Sequence, residues 1–170
     1  GIRDRDVTGV QTCALPIYIC EQDTTLYHWI NIFLYSLLIP LSFIVFSKIF
    51  PGHYTLAFLT AILFAVHPIH CEAVSNIKGL EELLSLFFLL ASTYFAMLYQ
   101  QKEKMVSLLG VCFFFLCALF SKESSVLGAV LIPLCVHFSM GKWVDKRLLI
   151  GIISCTAFFL ISRYLVLNQY

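Results

Sequence analysis

The stretch LYHWINIFLYSLLIPLSFIVFSKIF, residues 26–50, decides the class of fold. It holds one Lys, near its end, and no Asp, Glu or Arg. A helix rises about 1.5 Å per residue, so about 20 residues cross a bilayer core of about 30 Å. In hydrocarbon the backbone must satisfy its own hydrogen bonds, which favours a helix over any open structure. The stretch therefore predicts a membrane-spanning helix.

The rest of the chain repeats this pattern. Its 170 residues are 60% hydrophobic and 12% charged, against roughly 45–50% and about 25% in soluble proteins. Five further apolar runs follow, each ended by a short polar break: Tyr54–Val66, Leu83–Tyr99, Met105–Phe120, Val126–Met140 and Leu148–Leu167. We therefore expect an all-α, polytopic membrane helix bundle of about six transmembrane helices.

The four middle runs have 13 to 17 residues and must borrow flanking residues to cross a membrane. Tyr54–Val66 is the shortest of these runs. Its two interpretations are a membrane span and a re-entrant segment, and we favour the span. Pro40 and Pro133 fall inside predicted helices, which membrane helices tolerate when neighbours satisfy the freed backbone groups.

Residues 1–17, GIRDRDVTGVQTCALPI, differ from everything that follows. They carry four alternating charges without periodicity and resemble the conceptual translation of a short-read sequencing adapter. A segment of that origin has no place in fold reasoning. We therefore expect the protein itself to enter mid-gene at about Tyr18 and residues 18–170 to form one transmembrane domain.

The net charge of +1 makes nucleic acid an unfavourable partner. No CxxC pair suggests a metal or redox site. Six cysteines remain beyond residue 17, four of them inside apolar runs, where they act as small hydrophobic side chains: Cys20, Cys71, Cys112, Cys117, Cys135 and Cys155.

Basic residues divide the polar breaks into two sets. Alternate breaks hold six Lys or Arg side chains and the opposite set holds three: Lys48, Lys102, Lys104, Lys142, Lys146 and Arg147 against Lys78, Lys122 and Arg163. An excess of Lys and Arg is typical of cytoplasmic loops. We therefore expect the first set to face the cytoplasm and the second to face outward.

The outward breaks carry the candidate chemistry. Imidazoles, carboxylates and ammonium groups lie at the mouths of the predicted helices: His67, His70, Glu72, Lys78, Glu81, Glu82, Lys122 and Glu123. Arg163 lies four residues inside the last apolar run. Ionisable groups at membrane depth are costly and usually face a cavity or a partner. Four helix ends are therefore expected to converge on one polar face.

Two motifs on this face, AVHPIHCEAVSNIKGLEELLS at residues 65–85 and LFSKESSVLG at residues 119–128, resemble the signature of the transmembrane and tetratricopeptide-repeat protein family. The family pattern is roughly HPxHTExVxxIxGRxELL followed by LxSKE. The chain departs from it at Cys71, where Thr is usual, and at Leu80, where Arg is usual. The second change removes a cation that Lys78 would have to replace. The resemblance covers about residues 26–167.

The resemblance implies part of a C-type glycosyltransferase fold, with a protein O-mannosyltransferase-like activity on the non-cytoplasmic side. The implied partners are membrane lipid, a polyprenyl-phosphate sugar donor and a protein or glycan acceptor. It places the catalytic base in a first outer loop, which we expect upstream of Tyr18, and a tetratricopeptide-repeat domain beyond the membrane part. Residues 18–170 would be an inactive fragment of the whole. We expect it in a bacterial inner membrane, or in the endoplasmic reticulum if the source is eukaryotic.

Donor binding is expected to fall to six side chains: His67, His70, Glu72, Lys122, Glu123 and Arg163. Lys122 would open a helix whose amides and dipole favour an anion, and Arg163 offers a planar fork for phosphate oxygens. If helical, the two imidazoles would share a face, although Pro68 favours a turn.

Each of these assignments has a structural alternative. The imidazoles could simply end a helix, Lys122 could pair with Glu123, and Arg163 could extend its guanidinium to the interface. Glu81 and Glu82 are most simply charges that complement a helix dipole. We assign no metal ligands, because no zinc arrangement fits the spacing of His-x-x-His-Cys-Glu, and we leave a divalent cation open as a cofactor.

Two other functions stay open. A transporter or lipid flippase also places polar helix ends around a cavity, but it predicts charges near mid-helix and an inverted repeat, which this sequence lacks. A non-catalytic membrane scaffold for a tetratricopeptide-repeat domain would fit the loss of Arg at Leu80.

Overall fold

The computed structural model describes residues 24–76 and 79–168, which are helical with short connections and contain no strand. The elements are α1 Thr24–Ile49, α2 Tyr54–Val66, α3 Ile69–Ser75, α4 Gly79–Lys102, α5 Met105–Ser121, a 3₁₀ helix Glu123–Leu127, α6 Gly128–Met140 and α7 Lys146–Leu167. The all-α membrane bundle is confirmed. Residues 1–17 and Lys78 lie outside the described residues. The predictions made for them, and for the outer loop expected upstream of Tyr18, therefore stay predictions.

All six predicted apolar runs are helical in the structure. Within the described residues, four helical segments are long and apolar enough to cross a membrane: α1, α4, the 3₁₀ helix with α6, and α7. A fifth arises if α2 and α3, which are bent by 57° to each other, count as one broken span. The bend leaves a broken span and a re-entrant loop as the two interpretations of Tyr54–Val66.

Helix α5 has 17 residues and falls short of the length expected for a span. It nevertheless runs from one end of the bundle to the other. Its start follows the last turn of α4, and its end lies beside the first turn of α4, where Lys122 pairs with Glu82. About six apolar helices are therefore present among the described residues, as expected, whereas four or five segments are long enough to cross a membrane.

Helix α4 is the centre of the bundle and contacts α1, α3, α5 and α6. Its inward face carries small side chains, which allow close helix packing where lipid gives no hydrophobic drive to association: Ser85, Ala91, Ser92, Thr93 and Ala96. Large side chains from the other helices complete the core, among them Phe115, Leu119, Ile132 and Ile152. Apolar residues such as Phe33, Leu63 and Ile153 are exposed on the outer surface, as lipid contact requires.

The breaks rich in Lys and Arg meet at one end, which we call the basic end (residues 48–54, 99–104 and 139–147). Ser139 Oγ donates to the carbonyl of Lys48 at 2.6 Å. Tyr99 donates its hydroxyl to Asp145 Oδ2 at 3.3 Å, and Gln100 Nε2 donates to the carbonyl of Trp143 at 3.2 Å. The alternation of breaks between two ends, predicted from sequence, is therefore present in the fold.

Candidate functional site

The opposite end, which we call the motif end (residues 24–35, 64–76, 79–85, 119–128 and 162–168), holds the two motifs. Its connection from α2 to α3 is a bend that Pro68 imposes. Proline has no N–H, so the carbonyl of Phe64 loses its helical donor and α2 ends at Val66. His67 is extended, with φ −67° and ψ 124°. The two imidazoles therefore lie on either side of a bend, and the turn favoured by Pro68 replaces a shared helix face.

The two histidines remain neighbours across this bend. Their ring centroids are 6.0 Å apart, and the ring of His70 packs 4.4 Å from Phe64 and 5.7 Å from Tyr35. His67 Nδ1 accepts a hydrogen bond from the backbone N–H of Ile69 at 3.2 Å. In the neutral ring the proton is then on Nε2, so the exposed His67 presents a donor.

Helix α3 carries Glu72, exposed in its first turn. The end of α3 meets the start of α4 at Gly79. A Cβ at this position would lie 1.7 Å from the carbonyl oxygen of Ala73, which real structures never show. Gly79 is therefore required by the close approach of two backbones, and this contact joins the His-Pro-Ile-His segment to the central helix.

Two ion pairs connect three helix ends at the motif end. Lys122 Nζ pairs with Glu82 Oε1 in the first turn of α4, and Arg163 Nη1 in α7 pairs with Glu123 Oε2. The alternative pairing of Lys122 with Glu123 is wrong, because Glu82 is the partner. Glu82 is in the first turn, as its assignment as a dipole-complementing charge requires, and it also neutralises a cation.

Both cations stay accessible despite these pairs. The side chains of Lys122 and Arg163 are 33% and 40% exposed. An ammonium has three N–H donors and a guanidinium has five, and one ion pair uses only some of these donors. The paired cations can therefore still bind an anion.

Lys122 lies between two helices: it ends α5 and directly precedes the helix that begins at Glu123, as the sequence predicts. Its backbone N–H donates to the carbonyl of Ala118 at 3.0 Å, so it ends α5. The helix that follows begins with five residues of 3₁₀ helix and continues without a break into α6, so the two form one helical segment of 18 residues. An anion at this place would meet the side-chain charge of Lys122 next to the N-terminus of that segment.

A buried hydroxyl pair lies beneath the ion pairs. Ser85 Oγ in α4 and Ser125 Oγ in the 3₁₀ helix are 2.6 Å apart and both residues are buried. Ser85 is the last residue of the first motif and Ser125 belongs to the second, so this bond joins the two motifs. It sets the register that places Lys122 beside Glu82.

The candidate residues thus form two groups at one end of the bundle. The imidazoles, with Phe46, Thr60, Leu63, Phe64 and Ile69, line an open, largely apolar groove of about 340 Å³ along α1 and α2. The cations do not line this groove, and among the described residues neither histidine is bonded to an ion-paired side chain. The candidate residues therefore lie at one end of the bundle, and a common pocket for all six stays a prediction.

No three His, Cys, Asp or Glu side chains are grouped to hold a metal ion within residues 24–76 and 79–168. A divalent cation stays a prediction.

Sequence reasoning missed two polar residues in α1. Asn31 is buried, with an exposed fraction of 1%, and its Nδ2 donates to the carbonyls of Val74 and Asn76 at 3.2 and 3.0 Å. The hydroxyl oxygen of Tyr35 lies 3.1 and 2.9 Å from the carbonyl oxygens of Phe64 and Ala65 and shares its one proton between them. The available signal was the spacing of two polar side chains, four apart, inside an apolar run.

Comparison with curated proteins identifies relatives of this chain. The chain is 34% identical over 126 residues to the protein O-mannosyl-transferase F38B6.6 of Caenorhabditis elegans, a match that covers 69% of this chain and 16% of that protein. Its curated homologues are TMTC protein O-mannosyl-transferases. TMTC1 of Homo sapiens is 41% identical over 83 residues, and TMTC2 of Homo sapiens is 44% identical over 66 residues.

The resemblance to the TMTC proteins is confirmed at moderate identity and partial coverage. The last two matches cover 48% and 38% of this chain but only 9% and 8% of the relatives' lengths. No protein-family profile and no solved structure matches the chain. The chain is a membrane protein, and its animal relatives give no support to a bacterial inner membrane.

Proposed function

We propose that this chain is part of the membrane domain of a glycosyltransferase that moves a hexose, such as mannose, from a polyprenyl-phosphate donor to a protein or glycan acceptor. Homology to the TMTC protein O-mannosyl-transferases supports a membrane glycosyltransferase. The observation that carries the finer proposal is the presence of two accessible cations, Lys122 and Arg163, at the end that also holds the family motif.

The chemistry of the donor suits this end. The lipid tail stays in the bilayer and the phosphate lies at the interface, where helix ends place charged side chains. When the bond from the sugar C1 to the phosphate oxygen breaks, the leaving phosphate gains negative charge. Lys122 and Arg163 would stabilise that charge electrostatically, with Glu82 and Glu123 holding them in place before the donor arrives.

The first motif would bind the sugar. The Nε2 proton of His67 can donate to a sugar hydroxyl, and the Glu72 carboxylate can accept from one. None of the described residues is assigned the role of catalytic base. We place this end on the non-cytoplasmic side, as the distribution of Lys and Arg predicts. Because the relatives are eukaryotic, that side would be the lumen of the endoplasmic reticulum.

The test is sugar transfer by the full-length protein in membranes, with a radiolabelled polyprenyl-phosphate mannose as donor. Lys122→Ala combined with Arg163→Ala should lower kcat/KM for the donor at least 100-fold, since each charge-assisted contact contributes about 1.5–3 kcal/mol. The matched control is Lys142→Ala with Lys146→Ala, which removes two exposed cations from the basic end and should leave transfer unchanged.

The outcomes separate the rival functions. Transfer at the wild-type rate by the double variant would overturn the donor-site assignment. Movement of the labelled lipid between leaflets, without transfer to any acceptor, would identify a flippase. Absence of both activities from a folded wild-type protein would support the scaffold.

A further inference from the structure

Helix α1 contacts both flanks of the segment that carries the first motif. Tyr35 reaches the carbonyls of Phe64 and Ala65, just before the bend, and Asn31 reaches those of Val74 and Asn76, just after α3. The two side chains are four residues apart and so share a face of α1. Between these anchors lie His67, His70 and Glu72.

The two carbonyls that Tyr35 contacts lose their helical hydrogen-bond donors at the bend. The helical donor to Phe64 would be the nitrogen of Pro68, which has no hydrogen. The helical donor to Ala65 would be the N–H of Ile69, which bonds to His67 Nδ1 instead. Unpaired carbonyls in an apolar environment are costly, so the Tyr35 hydroxyl stabilises the bent conformation itself.

Asn31 acts at the other end of the segment. Helix α3 ends at Ser75, so its last carbonyls lack helical donors, and Asn31 Nδ2 donates to the carbonyl of Val74 within that turn. The Oδ1 atom of the same amide is buried and has no hydrogen-bond partner within the described residues. The two donors of this buried amide therefore hold the end of α3 and the residue that follows it.

We propose that Asn31 and Tyr35 are positioning residues that hold the His67–Glu72 segment in the geometry that binds the sugar donor. This inference rests on the proposed function for its catalytic consequence, but the clamp itself is a property of the fold. Tyr35 also sets the orientation of an imidazole directly, because its ring packs against His70.

The variants are Tyr35→Phe, which removes only the hydroxyl, and Asn31→Leu, which removes the amide at similar size. The basic end offers matched controls. Tyr99→Phe removes a hydroxyl that bonds Asp145, and Gln100→Leu removes an amide that bonds the backbone of Trp143 and Asp145. Both controls break contacts between elements without touching the motif end.

The first measurement is hydrogen exchange of the full-length protein, followed by mass spectrometry of the peptide that covers residues 64–76. Each motif-end variant should speed exchange in this peptide about fivefold, as expected for the loss of one hydrogen bond worth about 1 kcal/mol. The controls should leave this peptide unchanged. Unchanged exchange in both motif-end variants would overturn the clamp.

The second measurement is the KM for the polyprenyl-phosphate sugar in the transfer assay. Each motif-end variant should raise this KM about fivefold and leave the KM for the acceptor unchanged, and the controls should change neither. Faster exchange with an unchanged donor KM would overturn the positioning role. If the wild-type protein transfers no sugar, the proposed function fails by itself, and the exchange measurement still decides the clamp.

Discussion

At the scale of single residues, the ion pairs decide how Lys122 can act. Exposed pairs contribute only about 0–1 kcal/mol to stability, and Lys122 and Glu82 are both partly exposed. The ion pair therefore contributes too little to stability to explain why an ammonium group lies here. Its better use is to orient a cation that an incoming phosphate also contacts.

An exchange of the two charges separates these roles. Lys122→Glu should abolish sugar transfer because it removes the cation. Adding Glu82→Lys restores an ion pair between α4 and the end of α5 but moves the ammonium to the other helix. We expect thermal stability to return to within about 0.5 kcal/mol of wild type. Transfer should stay about 10- to 100-fold reduced, as expected for the loss of one charge-assisted contact of about 1.5–3 kcal/mol. Recovery of transfer in the double variant would mean that the pair, and not the position of the cation, matters.

At the scale of elements, the bend between α2 and α3 organises the first motif. Pro68 breaks the helix, α1 supplies hydrogen-bond donors to both flanks, and Gly79 lets α4 begin against the backbone of α3. These contacts come from α1 and α4, which pack against the segment from outside it. The shape of the segment is therefore a property of the packed bundle and not of residues 65–85 alone.

Gly79→Ala tests this packing. The added methyl would fall within 1.7 Å of the carbonyl oxygen of Ala73, and overpacking against backbone should destabilise the protein by about 3 kcal/mol. The readout is the midpoint of thermal unfolding in detergent. Gly151→Ala is the control, because its Cβ would meet only the Cys112 sulfur at 3.3 Å and a Leu108 methyl at 3.6 Å. A stable Gly79→Ala variant would contradict the observed approach of α3 and α4.

At the scale of the whole molecule, the bundle has two chemically different ends. The basic end bonds its breaks together through Ser139, Tyr99 and Gln100, and the motif end holds the ion pairs and the imidazoles. Charge predicts which end faces the cytoplasm, but the fold by itself has no direction in the membrane.

Labelling by a membrane-impermeant maleimide measures that direction. In sealed endoplasmic-reticulum vesicles with the cytoplasmic face outward, Lys142→Cys at the basic end should react and Ser124→Cys at the motif end should not; both positions are exposed. Detergent should make Ser124→Cys reactive, which controls for its accessibility. The native Cys71, also exposed at the motif end, should behave like Ser124→Cys. Reaction in the reverse order would place the motif end in the cytoplasm and contradict a lumenal donor site.

The sequence alone determined the class of fold and the two ends of the bundle. Runs of apolar residues set helices because lipid leaves the backbone no other partner, and alternating polar breaks assign each motif to an end. The break at Pro68 was also readable, since it follows from local backbone chemistry.

Only the tertiary structure decided which charged and polar groups meet. Glu82 rather than Glu123 pairs with Lys122, and Asn31 and Tyr35 hold a segment some 30 to 45 residues away. These contacts depend on how α4, the central helix, packs against its neighbours and in what register, which is set by interlocking small and large side chains. Spacing along one chain does not contain that register, so partner choice at the motif end became visible only in the folded bundle.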